Sequence, residues 1–280
     1  MSEVRVLRRI TDELAKASGE LPDGEAPTLW AAVAGLKPAE VWLRRESEAA
    51  ADVVARFWKA VAQRKRGVPL AYVVGSVGFR TLDLKIDPRA LIPRPETEGL
   101  VDLVLARCST GVVADIGTGS GCIALALAVE GQFDKLVAVE QSAAAAALAR
   151  ENVQRVAPRT PVEIRDGNLL APLVDKGEQF RAIVCNPPYL TLAEFDELDP
   201  SVRDFEPREA LVSGTDGLDV TRALYAGARA LLERGGLLAL EIDERRADAV
   251  RAIGSACDWN VQIHDDLFGC SRYALTTKED

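Results

Sequence analysis

The chain has 280 residues, of which 48% are hydrophobic and 28% charged, with a formal net charge of −9 at pH 7. This length allows one large domain or a small domain followed by a larger one, and the composition excludes a disordered chain. The acidic balance excludes a general nucleic-acid coat, because phosphate binding draws on surplus Lys and Arg, and points to a protein or small-molecule partner.

The opening MSEVRVLRRI mixes acids with bases and lacks the apolar stretch of a signal peptide, and no apolar run reaches the length of a membrane span. A cytoplasmic protein with no membrane partner is expected, acting as a monomer. Up to about residue 70, apolar residues recur at three-to-four spacing, as in Val6, Ile10 and Leu14, and later Val53, Val54, Phe57, Trp58 and Val61. Leu21-Pro22-Asp23-Gly24 supplies a turn between them, so residues 1–70 are predicted to form a small helical domain. From Tyr72 to Ile92 the pattern changes to short β-like runs, YVVGSVGF and TLDLKI, which predict a hairpin linker over residues 71–92.

Residues 93–280 form the third predicted segment. LIPRPETEGLVDLVLARC reads as a Pro-bounded loop entering a helix, and VVADI, GCIALALAVE, KLVAVE, AAAAALARENVQRV, VEIRD and RAIVC then alternate strand with helix. Such alternation predicts parallel βαβ units in a doubly wound α/β sheet. TRALYAGARALLER and GLLALEI continue it as helix and strand, and WNVQIHDD with SRYALTT supplies a closing antiparallel pair. The five cysteines, Cys108, Cys122, Cys185, Cys257 and Cys270, form no C-x-x-C pair and read as reduced packing residues. The single histidine, His264, excludes sites built from several histidines, so no metal is expected.

Asp115-Ile116-Gly117-Thr118-Gly119-Ser120-Gly121 follows an apolar strand and precedes an apolar helix, the setting in which glycines let backbone approach a ligand. Nicotinamide binding would need G-x-G-x-x-G/A, but Cys122 occupies the position of the third glycine, and the Lys-Ser/Thr of a P-loop is missing. Glu140 ends the next strand at about the interval where a ribose-binding acid is expected, and its carboxylate can accept both ribose hydroxyls. The bland alternative is a surface glutamate beside a tight turn.

D-x-G-x-G-x-G with its trailing acid resembles the S-adenosylmethionine-dependent methyltransferases, and that resemblance, not the spacing, implies S-adenosyl-L-methionine as cofactor and a seven-stranded methyltransferase sheet. It carries cofactor binding onto Gly117, Thr118, Gly119, Ser120, Gly121 and Glu140. At Arg165-Asp166-Gly167-Asn168-Leu169 it carries the adenine contact onto Asn168 and Leu169, with Asp166 as the alternative after a shift of register.

RAIVC runs directly into Asn186-Pro187-Pro188-Tyr189, at the carboxyl edge of the sheet where open α/β folds bind ligands. Two prolines lock φ and fix the directions of the loop carbonyls. NPPY beside the glycine turn resembles methyltransferases acting on planar nitrogens. An amide nitrogen is a poor nucleophile because its lone pair is delocalised into the carbonyl. If Asn186 Oδ1 and the Pro187 carbonyl accept its two hydrogens, the pair is localised and the developing charge stabilised, while Tyr189 stacks on the flat acceptor. Asn186, Pro187 and Tyr189 are therefore the expected catalytic residues. Asn186 also touches cofactor, and Pro188 completes the substrate-binding set.

The string Pro69-Leu70-Ala71-Tyr72, Gly75, Phe79 and Leu91-Ile92-Pro93-Arg94-Pro95-Glu96-Thr97-Glu98 is similar to the release factor glutamine methyltransferases. Arg203-Asp204-Phe205-Glu206-Pro207 and Gly214-Thr215-Asp216-Gly217-Leu218 extend the resemblance over nearly the whole chain. It implies transfer of a methyl group to the glutamine amide of the Gly-Gly-Gln motif of peptide chain release factors, with the helical domain recognising the partner. Arg94, Glu96 and Glu98 either form a solvated loop or shape the entrance. Departures from the family's habit fall at Gln141, often Asp, and at Glu241-Ile242-Asp243, where glycine commonly ends the triplet. A glutamine methyltransferase for a ribosomal protein is the nearer alternative. A DNA adenine methyltransferase would need a basic target-recognition region, and Arg64-Lys65-Arg66 is too short for one. A noncatalytic cofactor-binding module is opposed by the intact NPPY.

Overall fold

The computed structural model describes residues 8–174 and 176–279, so Val6 of the predicted N-terminal periodicity lies outside the described residues. The chain divides into two compact units, Met1–Ser76 with Pro200–Phe205, and Val77–Asp199 with Glu206–Asp280.

The first unit is helical: α1 (Ile10–Ser18), α2 (Glu25–Ala34), α3 (Pro38–Arg44), α4 (Ala51–Lys65) and α5 (Leu70–Val74). Its core gathers Ile10, Leu29, Trp30, Val54, Phe57 and Val61, with Trp30 packed edge-on against Phe57 at 5.0 Å between ring centroids. Glu13 and Glu25, which would be costly unpaired, accept from Trp58 Nε1 and Arg64 respectively. Tyr72-Val73-Val74, expected as β-like, is a helical turn instead. Pro69 sets its entry, and Gly75, left-handed at φ 79°, donates its N–H to the Ala71 carbonyl and closes it. Capping here overrides the β-preference of two valines.

The second unit begins with a two-stranded hairpin, β1 (Ser76–Phe79) and β2 (Leu82–Lys85), followed by α6 (Pro95–Arg107). The βαβ series runs β3 (Val112–Ile116), α7 (Cys122–Glu130), β4 (Lys135–Glu140), α8 (Ala143–Val156), β5 (Val162–Asp166), α9 (Ala171–Val174) and β6 (Phe180–Cys185). Short helix α10 (Leu192–Asp196) is followed by α11 (Pro200–Arg203), which belongs to the first unit, and then by α12 (Asp219–Leu231), β7 (Leu232–Glu241), α13 (Ala247–Ala256), β8 (Gln262–Asp265) and β9 (Ser271–Thr277). The helix expected to run through Arg234 stops at Leu231, and β7 starts at the next residue, pairing Leu232 with Phe180. Helix α13 has no counterpart in the sequence reading.

The seven strands lie in the order β5-β4-β3-β6-β7-β9-β8, with β9 antiparallel to β7 and β8. The expected doubly wound sheet is therefore present. Its central parallel strands, β3, β4 and β6, are buried on both faces, and alternate residues serve opposite layers. Ala114, Ile116, Val137, Val139, Ile183 and Cys185 face one core, while Val113, Leu136, Ala182 and Val184 face the other. Each fully buried Leu, Ile or Val contributes roughly 1.5–3 kcal/mol from burial, which fixes the register against slippage.

That register lines up the site. Ile116 pairs with Val139 on one side and with Cys185 on the other, Glu140 pairs with Asp166, and Cys185 pairs with Leu240. Gly117, Glu140, Asn186 and Glu241 thus stand at or just past the carboxyl ends of four neighbouring strands. The strand order reverses between β3 and β6, the crevice in which open α/β sheets hold ligands.

Candidate active site

The glycine turn is braced from below by Asp115, which is 1% exposed. Asp115 Oδ2 accepts the Thr118 hydroxyl at 2.6 Å and the Ala124 N–H at 3.1 Å, so it supplies an N-cap acceptor that Gly121, the capping residue of α7, lacks. Gly117 and Gly119 adopt φ of 70° and 56°, and a Cβ on Gly117 would meet nothing within 4 Å. The turn therefore faces open space with bare backbone. Glu140 holds it from the side: Oε2 accepts the Gly119 N–H at 2.8 Å and Oε1 the Ser142 N–H at 2.9 Å. Beneath, the buried Asn152 side chain of α8 donates to the Ser120 carbonyl and bonds both backbone groups of Lys85.

Across the crevice, Asn186 Nδ2 donates to Thr97 Oγ1 at 3.1 Å, and Thr97 Oγ1 donates to Glu241 Oε2 at 2.7 Å. An amide turned this way keeps Oδ1 for another partner. Tyr189 is largely buried, which pushes its phenol up to about 12 and keeps it neutral, a flat apolar surface with a hydroxyl. The backbone of the loop is fixed at its exit, where the Leu190 N–H donates to the Leu211 carbonyl and the Ser213 N–H to the Leu190 carbonyl.

A cavity of about 600 Å³ opens between these elements, within the usual range for small-molecule sites. Gly117, Thr118, Gly119, Ser120, Glu140, Asn168, Leu169, Asn186 and Pro188 line it. Gly121, Pro187 and Tyr189 are not among the lining residues: Gly121 packs near Leu125 and Ala149 at the start of α7, and of the NPPY loop Asn186 and Pro188 reach the cavity. Of the two candidates for the adenine contact, Asn168 reaches the cavity, while Asp166 points to Arg150 at 2.6 Å and does not line it. An open glycine turn, an acid at the next strand end and an amide at the third fit a nucleoside bearing a charged chain. Among the described residues no His/Cys/Asp/Glu group could hold a metal ion, and all five cysteines are free.

The outlying motifs take structural positions around the cavity. Glu206, 5% exposed, accepts the Ile92 N–H at 3.0 Å and pairs with Arg94 at 2.6 Å, so the Leu91–Glu98 string is tied to the segment after Phe205. Arg94 lines the cavity, Glu98 accepts the Arg80 N–H, and the Glu96 carbonyl accepts the Tyr273 hydroxyl. Gly217 lies so close to the NPPY loop that a Cβ would come within 2.3 Å of the Tyr189 carbonyl oxygen. Glycine there is a close-packing requirement. Sequence reasoning missed Thr97, Glu206 and Glu241 as members of the site, because each acts through contacts with residues distant in the chain, and it met Asp115 only as the first residue of the glycine motif.

Burial pushes two of these carboxyls, Asp115 and Glu241, up to about 7; bonds from Thr118 and Ala124 hold Asp115 down, and a bond from Thr97 holds Glu241 down. Both folded-state values lie above those of the free side chains, so the stability each group contributes is complete in acid and is lost as pH rises through about 7. Wild-type Tm should therefore fall as pH rises from about 4 to about 7 and level off above that, and Glu241→Gln should reduce the fall. Thermal melts across that range check it, and an identical pH dependence in the variant would refute the assignment.

The chain matches two family models: the PrmC N-terminal domain over residues 5–75 and the methyltransferase small domain over residues 96–197. It is 39% identical over 272 residues to the release factor glutamine methyltransferase of Moorella thermoacetica, covering 95% of each chain. The protein of the same name from Deinococcus radiodurans is 38% identical over 271 residues, with 96% of this chain and 95% of that one covered. Among solved structures, a methyltransferase from Pyrococcus furiosus shares the fold with a TM-score of 0.54 at 20% identity, covering 81% of this chain and 98% of its own. A ribosomal RNA methyltransferase of T. thermophilus, solved with AdoMet and guanosine, gives 0.52 at 19% identity over 73% of this chain and 50% of its own.

Proposed function

This chain belongs to the release factor glutamine methyltransferase family, and from that premise we propose that it transfers a methyl group to the side-chain amide nitrogen of the glutamine in the Gly-Gly-Gln motif of peptide chain release factors. The cofactor is S-adenosyl-L-methionine, which supplies an electrophilic methyl group on a sulfonium. Gly117, Thr118, Gly119, Ser120 and Glu140 hold its ribose and methionine portions, and Asn168 with Leu169 its adenine.

The observation that carries this reading is the orientation of the Asn186 amide, with Nδ2 given to Thr97. Oδ1 accepts one hydrogen of the glutamine amide, and the Pro187 carbonyl, set by two locked prolines, accepts the other. Both bonds strengthen as the nitrogen gains positive charge, which is the condition for lowering the barrier rather than merely binding the substrate. Tyr189 backs the flat amide. The helical domain of residues 1–70 supplies a second surface for the release factor, since a Gly-Gly-Gln tip alone offers few contacts. No helix among the described residues is long and apolar enough to cross a membrane.

Incubation of the enzyme with labelled cofactor and, separately, a folded release factor, a large-subunit ribosomal protein and duplex DNA tests the choice of acceptor. Label is expected on the release factor. Label on DNA or the ribosomal protein, with none on the release factor, would overturn it.

A further inference from the structure

Thr97 and Glu241 are 2% and 1% exposed and meet behind Asn186, Thr97 reaching from the first turn of α6 and Glu241 from the end of β7. A threonine hydroxyl has one hydrogen to give. An ionised carboxylate can only accept, so Glu241 takes that hydrogen, and Thr97 then presents lone pairs alone to its other neighbour. Asn186 can answer only with Nδ2–H. We infer that Glu241 and Thr97 are positioning residues that fix which end of the Asn186 amide meets the substrate. The inference rests on the proposed role of Asn186 Oδ1 as acceptor for the glutamine amide.

Protonation of Glu241 would undo the arrangement. A neutral carboxyl can donate to Thr97, which frees the threonine hydrogen for Asn186 and permits the reversed amide. The Asn186 NH₂ would then face the substrate NH₂, donor against donor, and the lone pair would not be localised.

The charged and titratable groups around Glu241 come from every neighbouring element. Glu96 lies on α6, Arg272 and Tyr273 on β9, Tyr189 in the NPPY loop, Cys185 at the end of β6 and Cys122 at the start of α7. Burial raises Glu241 to about 7; hydrogen bonds from Thr97 and from Asn186 itself and the charge of Arg272 oppose that, and Glu96 adds to it, so the ionised carboxylate draws the Asn186 NH₂ directly as well as through Thr97. The carboxyl thus titrates where a change of pH from mildly acid to mildly alkaline switches the relay on.

The test compares Thr97→Val, which keeps the shape and loses the hydroxyl, with Thr97→Ser and Glu241→Gln, measuring kcat, KM for release factor, cofactor affinity by titration and melting temperature. Thr97→Val should lower kcat roughly tenfold or more with cofactor affinity and KM within about threefold, and Thr97→Ser should recover most of the loss. Wild-type kcat should fall as pH drops below about 7, and Glu241→Gln should be slow at every pH with that acid limb gone. Should Glu241→Gln fail to fold, the valine and serine pair decides alone. Valine and glutamine variants with wild-type kcat and an unchanged acid limb would overturn the inference. If Asn186→Ala is inactive while those variants behave as wild type, only the relay is wrong; if Asn186→Ala itself turns over normally, the reading of Asn186 fails first.

Discussion

Asn186→Ala should retain most of its affinity for S-adenosyl-L-methionine while losing methyl transfer by a factor on the order of a hundred to a thousand, the usual cost of removing one preorganised charge-stabilising partner. The split follows from where the residue sits. Asn186 stands at the end of β6, on the strand beside the one that feeds the glycine turn, and its side chain is anchored to Thr97. Its Oδ1 meets a nitrogen whose charge rises only during the reaction, so the loss falls on kcat rather than on binding. Single-turnover rates with saturating release factor, beside calorimetric titration of the cofactor, separate the two. A variant within a few-fold of the wild-type rate would remove the basis for lone-pair localisation.

Glu140→Ala should have the opposite signature, weakening cofactor binding by roughly tenfold to a hundredfold, since hydrogen bonds to a charged group contribute about 1.5–3 kcal/mol. Two losses combine. The cavity loses an acid suited to the ribose hydroxyls, and the glycine turn loses the carboxylate that holds the Gly119 and Ser142 N–H groups. Glu140→Gln separates them in part, because its amide keeps one acceptor oxygen for the turn and no charge. Calorimetric titration showing unchanged affinity in a folded Glu140→Ala protein would end the ribose assignment.

The sheet was legible in the sequence because parallel strands buried on both faces appear as unbroken apolar runs, and KLVAVE and RAIVC match β4 and β6 closely. The glycine turn and NPPY were legible because each lies beside its strand end. Helix α13 was missed, since ERRADAVRAIGSA mixes charge with small residues and buries little beyond Val250 and Gly254. The β-like reading of Tyr72-Val73-Val74 failed where Pro69 and Gly75 impose a capped turn.

The supporting half of the site was not legible for a different reason. Thr97 and Glu241 are 144 positions apart, and Ile92 and Glu206 are 114 apart. Only the register of β6 against β7 and the packing of α6 bring the first pair to Asn186. A departure noted at Glu241-Ile242-Asp243 marked the right place, but it gave no sign that the first residue of the triplet was the one that mattered. Asp115 was visible only as the first letter of the glycine motif. Its work is to replace the missing cap of α7 and to hold Thr118.

The central claim is that the methyl group goes to a glutamine side-chain nitrogen. Fragmentation mass spectrometry of a folded release factor, after incubation with enzyme and isotopically labelled S-adenosyl-L-methionine, tests it most directly. The predicted result is one labelled methyl group per release factor, confined to the glutamine of Gly-Gly-Gln and absent when Asn186→Ala replaces the wild-type enzyme. Label on any other side chain, or an unmodified glutamine beside methylated DNA, would contradict it.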